Sequence, residues 1–267
     1  MDIGFKSQRN PQILEIKVQT RVPCKMVLRV RDWKKPYTFY TNREMNVSGK
    51  QTFLVRMPQS PEVGVIEVYN KRNGNLPKGQ DKTFMVSSLN TKPLTQKLNV
   101  WSTRNNNAKN FIKFAQEFSE RASILSSTLP DGASVYRSDD GKFTIKYFDV
   151  ITDRVTGKPL RTPSRISQTN GTIEVAKKYF VNYTVPMRMA ILLHEYSHFY
   201  LNENPRDEMQ ADKNALLVYC GLGYPAIDAM NAWLEVFKGT PSDQNVNRFE
   251  AIKKFMADFE KRSYKLK

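Results

Sequence analysis

The chain has 267 residues, 40% hydrophobic and 25% charged, enough apolar material for a sizeable core and too much for a disordered chain. No apolar run approaches the length of a membrane span; the longest near the chemistry-bearing residues is Met189–Leu193. Cys24 and Cys220 lie far apart, which excludes a disulfide scaffold and fits a reducing interior, and Met1–Lys6 lacks the apolar stretch of a classical signal peptide. The net charge of +16 is uneven: residues 1–100 carry +11 and residues 101–267 carry +5. A basic N-terminal part suits a polyanion such as nucleic acid, or an acidic protein surface, and equally a well-solvated exterior.

In chain order, short alternating strands come first. Leu14, Ile16 and Val18 point one way in Gln12–Thr20, and Met26, Leu28 and Val30 do so in Lys25–Trp33. Tyr37–Thr41, Gln51–Met57, Val63–Tyr69 and Thr83–Ser87 follow, separated by Lys35-Pro36, Ser48-Gly49, Pro58 to Pro61 and Asn73-Gly74. Such spacing predicts a β-sandwich over residues 1–97 with no chemical cluster of its own, and hence a docking or spacing role.

After Pro93 the pattern changes. Phe111, Ile112, Phe114, Ala115, Phe118, Ala122 and Leu125 recur with a helical period that ends near Pro130. Two hairpins follow: Ser134–Arg137 with Lys142–Val150 around Asp139-Asp140-Gly141, and Arg165–Gln168 with Thr172–Val175 around Asn170-Gly171. Helices are then predicted over about 186–202, 205–220, 225–238 and 243–262, with Asn204-Pro205 as the start of the second. The expected whole is multidomain, β plus α+β: a β-sandwich over 1–97 and an α+β domain over 98–267.

The only histidines in the chain are His194 and His198, in the run Leu193-His194-Glu195-Tyr196-Ser197-His198-Phe199. On a helix, positions four apart share a face, so both imidazoles can reach one cation, and a Glu beside the first can reach a water on it. The flanking apolar residues bury this helix, and buried histidines need partners. A catalytic zinc takes three protein ligands and leaves a fourth position for water. The next helix offers Glu208 and Asp212, four apart on one face, and the residues alone leave both open as the third ligand. Tyr183, Tyr219 and Tyr224 are the candidates for a transition-state donor.

The H-E-x-x-H run followed by Glu208-x-x-Ala211-Asp212 resembles the zincin metallopeptidases, in particular the glutamate-ligand branch, the gluzincins. The resemblance covers residues 186–225. It implies a zincin-like domain holding Zn2+ through His194, His198 and Glu208, with Asp212 supporting a histidine ligand and Glu195 as the general base of peptide-bond hydrolysis. Asp212 as the direct ligand, as in aspartate-ligand zincins, is the alternative. The resemblance also implies an edge strand that binds extended polypeptide, here nominated at residues 172–176. The missing H-x-x-G-x-x-H extension excludes a metzincin. The architecture is similar, more loosely, to tailed-phage virion proteins that fuse peptidase-like domains to docking modules. That implies an alternative role as a structural or assembly protein, in a homo-oligomer or larger particle, with a cytoplasmic or virion location and no membrane partner.

Overall fold

The computed structural model describes residues 1–95, 106–128, 134–239 and 241–264. The chain divides into two compact units, Met1–Lys97 and Leu98–Lys267. β-rich structure comes first and the helices follow, none of the sheets closes on itself, and among the described residues no helix is long and apolar enough to cross a membrane.

The first unit holds seven antiparallel strands: β1 (Asp2–Lys6), β2 (Gln12–Thr20), β3 (Cys24–Asp32), β4 (Phe39–Val47), β5 (Lys50–Met57), β6 (Val63–Asn70) and β7 (Phe84–Pro93). One sheet has the order β1-β6-β3-β4 and the other β5-β2-β7. The alternation works as written in the sequence: Leu14, Ile16 and Val18 are buried, as are Met26, Leu28 and Val30, while Lys17 and Gln19 are exposed. Strand β1 is not among the expected strands, because its alternation is carried by Ile3 and Phe5 alone, too short a pattern to stand out. Its pairing with β6 puts the Phe5 ring over Gly64, where a Cβ would come within 2.4 Å of it. Strand β7 runs well beyond Thr83–Ser87, because its polar half, Asn90 to Pro93, pairs with Gln12 to Glu15.

In the second unit, α1 (Asn106–Arg121) ends before the predicted end near Pro130, which lies outside the described residues. Strands β8 (Ser134–Arg137), β9 (Thr144–Phe148), β10 (Ser164–Ile166) and β11 (Ile173–Ala176) form a sheet of order β10-β11-β9-β8. The β9–β11 pairing is parallel and the other two are antiparallel. Residues 172–176 are therefore not an edge: β11 lies inside the sheet and β10 is the edge beside it. A short α2 (Lys177–Phe180) was not signalled by periodicity, being only four residues long. Then come α3 (Val185–Tyr200), α4 (Glu208–Gly221), α5 (Ala226–Gly239) and α6 (Asp243–Tyr264).

Helix α3 is the centre of this unit. Phe111 of α1 stacks on Tyr196 with ring centroids 4.2 Å apart, and α4 and α5 pack against α3. The guanidinium of Arg188, wholly buried, donates to the carbonyls of Ser119, Phe180 and Val181 at 2.7–3.1 Å. It satisfies chain ends of α1 and α2 that would otherwise be buried without donors.

The β10–β11 hairpin is fixed to α3 at its tip. Gly171 has φ +69°, and a Cβ there would lie 2.6 Å from Tyr200 Oη and 3.0 Å from the Phe199 ring. Gly74 has a similar φ of +75° with open space around it. Gly74→Ala should cost about 1–2 kcal/mol from backbone conformation alone, and Gly171→Ala distinctly more because the clash adds to it. Thermal denaturation of the two variants, side by side, checks this ordering.

Candidate metal centre

The helix carrying the two histidines is defined at its start by Thr184, whose hydroxyl accepts from Met187 N, and by Pro186 in the first turn. Apolar residues on nearly all sides bury it, which forces its polar side chains to find partners. The turn from α3 to α4 is tight and held by side chains. Asn202 donates to the Asp207 carbonyl, Asn214 donates to Asn202 Oδ1, and Gln210 Oε1 accepts from Glu203 N. Helix α4 starts at Glu208, capped by Asp207, whose carboxylate accepts from Gln210 N at 2.9 Å. The cap is thus not Asn204-Pro205: Asn204 Oδ1 accepts from Arg206 N within the turn, and Pro205 turns its carbonyl to the site.

His194, His198 and Glu208 come together with their ligand atoms within 4.8 Å of one another. His194 Nδ1 lies 2.9 Å from Asp212 Oδ1, and His198 Nδ1 lies 2.8 Å from the Pro205 carbonyl. The Pro205 carbonyl can only accept, so His198 Nδ1 carries a proton; His194 Nδ1 faces Asp212 within ion-pair distance, and each Nε2 is the atom turned inward. The two Nε2 atoms are 3.1 Å apart. Glu208 completes the triangle, with Oε2 3.4 Å from His194 Nε2 and Oε1 3.6 Å from His198 Nε2.

Asp212 is wholly buried and is the most heavily contacted carboxylate in the cluster. Besides its ion-pair contact with His194 it accepts from Trp233 Nε1 at 2.7 Å and from Arg248 Nε and Nη2 at 2.8 and 2.9 Å. Arg248 Nη2 also reaches Glu208 Oε2 at 2.9 Å, so one guanidinium from α6 holds both acids of α4. Glu195 accepts from the Ser164 hydroxyl of β10 at 2.7 Å, in a buried contact. His194, Glu195, His198, Glu208 and Asp212 therefore lie in one place. Tyr183, Tyr219 and Tyr224 do not join them: none lines the cleft, and Tyr219 and Tyr224 stack on each other with centroids 4.8 Å apart.

Arg248, Trp233, Ser164 and the Pro205 carbonyl were missed by sequence reasoning. No spacing rule connects a serine of an edge strand or an arginine three helices later to H-E-x-x-H. The Pro205 carbonyl is backbone and carries no sequence signal.

The cleft has a volume of about 380 Å³. His194, Glu195, His198, Glu208 and Arg248 give it a polar side, Ser164 and Ile166 belong to its edge-strand side, and α5 contributes Trp233 and Phe237. Comparison with family models, with curated proteins and with solved structures finds no match, so the chemistry is read from these side chains.

The acids of the cluster hold positive charge on its partners. Burial pulls the His194 imidazole down, but hydrogen bonds to Asp212 and Glu208 outweigh it and lift His194 to about 10. Burial pushes the Glu208 carboxyl up, and contacts with both histidines and Arg248 overcome this and hold it well below the usual range. The same competition, with His194 and Arg248 as partners, lowers Asp212. At neutral pH the ligand-free site thus retains a proton on His194 that a divalent cation must displace. Zn2+ or Co2+ binding should release about one proton at pH 8, and affinity should rise with pH up to about 10. Calorimetric titration in buffers of different ionisation enthalpy measures that number; affinity independent of pH from 7 to 9 would contradict it.

Proposed function

We propose that residues 98–267 form a zincin-like domain that hydrolyses peptide bonds with a zinc ion held by His194, His198 and Glu208. The single observation that carries this reading is the orientation of the imidazoles: both Nε2 atoms converge beside Glu208, while His198 Nδ1 is turned to the Pro205 carbonyl and His194 Nδ1 lies in ion-pair range of Asp212. Ligand bonds of about 2.0–2.1 Å in a tetrahedron put neighbouring ligand atoms ~3.3 Å apart. The separations of 3.1, 3.4 and 3.6 Å fit that edge length. A donor set of two imidazoles and one carboxylate suits zinc, as does the fixing of each ring by an acceptor behind it. Asp212 is then a supporting group and not the ligand, because its Oδ1 faces His194 Nδ1.

Zinc in such a site lowers the pKa of a bound water towards about 7 and polarises a carbonyl. The chain supplies the rest. Glu195 takes a proton from the attacking water and passes it to the departing amine. Ser164 holds Glu195 Oε1, which fixes the carboxylate's orientation and leaves Oε2 for proton transfer. Strand β10 offers its free edge to an extended polypeptide. Pro163 and Ser167 bond to β11, so by alternation Ser164 and Ile166 turn their backbone groups away from the sheet.

The finer reading of the first unit is a β-sandwich of its two antiparallel sheets, serving as a docking module. Its charge, +11 over residues 1–100, favours an acidic protein surface or nucleic acid as partner. That charge also supports a second reading, a zincin-like structural component of a phage virion or other multi-subunit particle, located in the cytoplasm or the virion.

Glu195→Gln separates the two. The variant should keep its zinc and lose cleavage of denatured casein by at least ~100-fold, while the native protein loses cleavage to chelator. Undiminished proteolysis by the variant would overturn the peptidase mechanism. A native protein that holds zinc, cuts nothing and assembles into particles would favour the structural reading.

A further inference from the structure

One face of the sheet β1-β6-β3-β4 combines aromatic rings with cations. By the alternation of β3, Lys25, Arg29 and Arg31 lie opposite the buried Met26, Leu28 and Val30, and Trp33 continues their row. The register sets Phe39 of β4 across from Arg31, and Glu67 of β6 across from Arg29, with Tyr69 two residues further along β6. The Arg29 guanidinium lies 5.9 Å from the Phe39 ring centroid and 5.8 Å from that of Tyr69. Cation and π surfaces therefore alternate across β4, β3 and β6.

At one end of this face the β3–β4 turn presents two further rings. Trp33 is 63% exposed and Tyr37 77%. Rings of this size are normally buried over most of their surface, and large rings left together in water mark a binding surface. The turn is held in shape before any ligand arrives. The buried Asp32 carboxylate accepts from the backbone N–H groups of Lys34 and Lys35 at 2.7 and 3.1 Å, and Thr38 N donates to the Lys35 carbonyl at 2.8 Å. A turn fixed in this way loses little freedom on binding.

The cations around these rings are available. Lys34 reaches Glu62 at 3.5 Å, while Lys25 and Lys71 share Glu44 at 3.1 and 2.8 Å, all with side chains 40–70% exposed. Exposed pairs of this kind hold weakly, so the ammonium groups can turn to phosphates.

We propose that this face binds single-stranded nucleic acid, with unpaired bases stacked on Trp33 and Tyr37 and phosphates taken by Lys25, Lys34 and Lys71. Charge alone would draw any polyanion. Exposed rings beside lysines add a stacking surface that an acidic protein patch does not use, and that a duplex, with its bases already stacked, cannot use. The inference rests on reading the first unit as a docking module for a polyanion and names its partner; it is independent of the metal centre.

The test uses the full-length protein and a fluorescein-labelled oligothymidylate of about twenty nucleotides. Binding at low salt should quench tryptophan fluorescence and weaken steeply as salt rises. It should be at least ~10-fold tighter than binding of polyglutamate or of the same oligomer annealed to its complement. Trp33→Ala and Tyr37→Ala should each weaken it at least ~5-fold, and Lys34→Ala should flatten the slope of log affinity against log salt by about 0.7. Met85→Ala, at an exposed position on the other sheet, should leave binding unchanged. Both ring positions are largely exposed, so the variants keep the fold, which circular dichroism checks.

An oligothymidylate bound no more tightly than polyglutamate, or bound undiminished by the folded Trp33→Ala and Tyr37→Ala variants, would overturn the stacking assignment and leave polyanion docking standing. A folded protein that binds neither polymer at low salt would overturn the docking reading, and this inference with it.

Discussion

A carboxylate removed from solvent costs several kcal/mol unless partners replace its water. Asp212 is such a group, with no exposure at all, and its partners come from three different helices. His194 comes from α3, Trp233 from α5 and Arg248 from α6, while Asp212 itself belongs to α4. Removing any one leaves part of a buried charge unmatched. The geometry of the candidate site around His194, the placement of Trp233 and the docking of α6 are therefore consequences of satisfying one side chain. Arg248 extends the arrangement by reaching Glu208, the half-exposed acid that faces both imidazoles.

This constraint operates on a helix that is otherwise apolar. Met189, Leu192 and Leu193 anchor α3 in the core, and Tyr196 stacks on Phe111 of α1. The hairpin carrying β10 is set against the end of α3 by Gly171, which has no side chain to keep Phe199 and Tyr200 away. The edge strand, the Ser164–Glu195 contact and the cleft follow from that close approach. Packing places the histidines, and hydrogen bonding aims them.

Much of this was legible in the residues. The period of two in Gln12–Thr20 and the H-E-x-x-H spacing are local patterns, and local patterns survive folding when burial agrees with them. Glu208 and Asp212 were readable as a pair because i and i+4 share a helix face. What each does was not readable: a side chain's direction relative to His194 Nδ1 depends on how α4 crosses α3, and so on a turn held by Asn202 and Gln210. The choice of β10 over β11 as the edge depended on a parallel β9–β11 pairing, a long-range contact with no mark in either strand. Arg248 and Trp233 were invisible for the same reason. Their contribution exists only once α5 and α6 close over Asp212.

The central claim is that His194, His198 and Glu208 together hold a metal ion with nitrogen and oxygen ligands. Metal analysis of the purified full-length protein, combined with X-ray absorption at the zinc edge, tests it most directly. The expected result is one zinc per chain, with two imidazoles and an oxygen-rich remainder at about 2.0–2.1 Å, lost in His194→Ala. A folded native protein that carries no zinc after exposure to the ion and dialysis, or one whose zinc persists unchanged in His194→Ala, would contradict it.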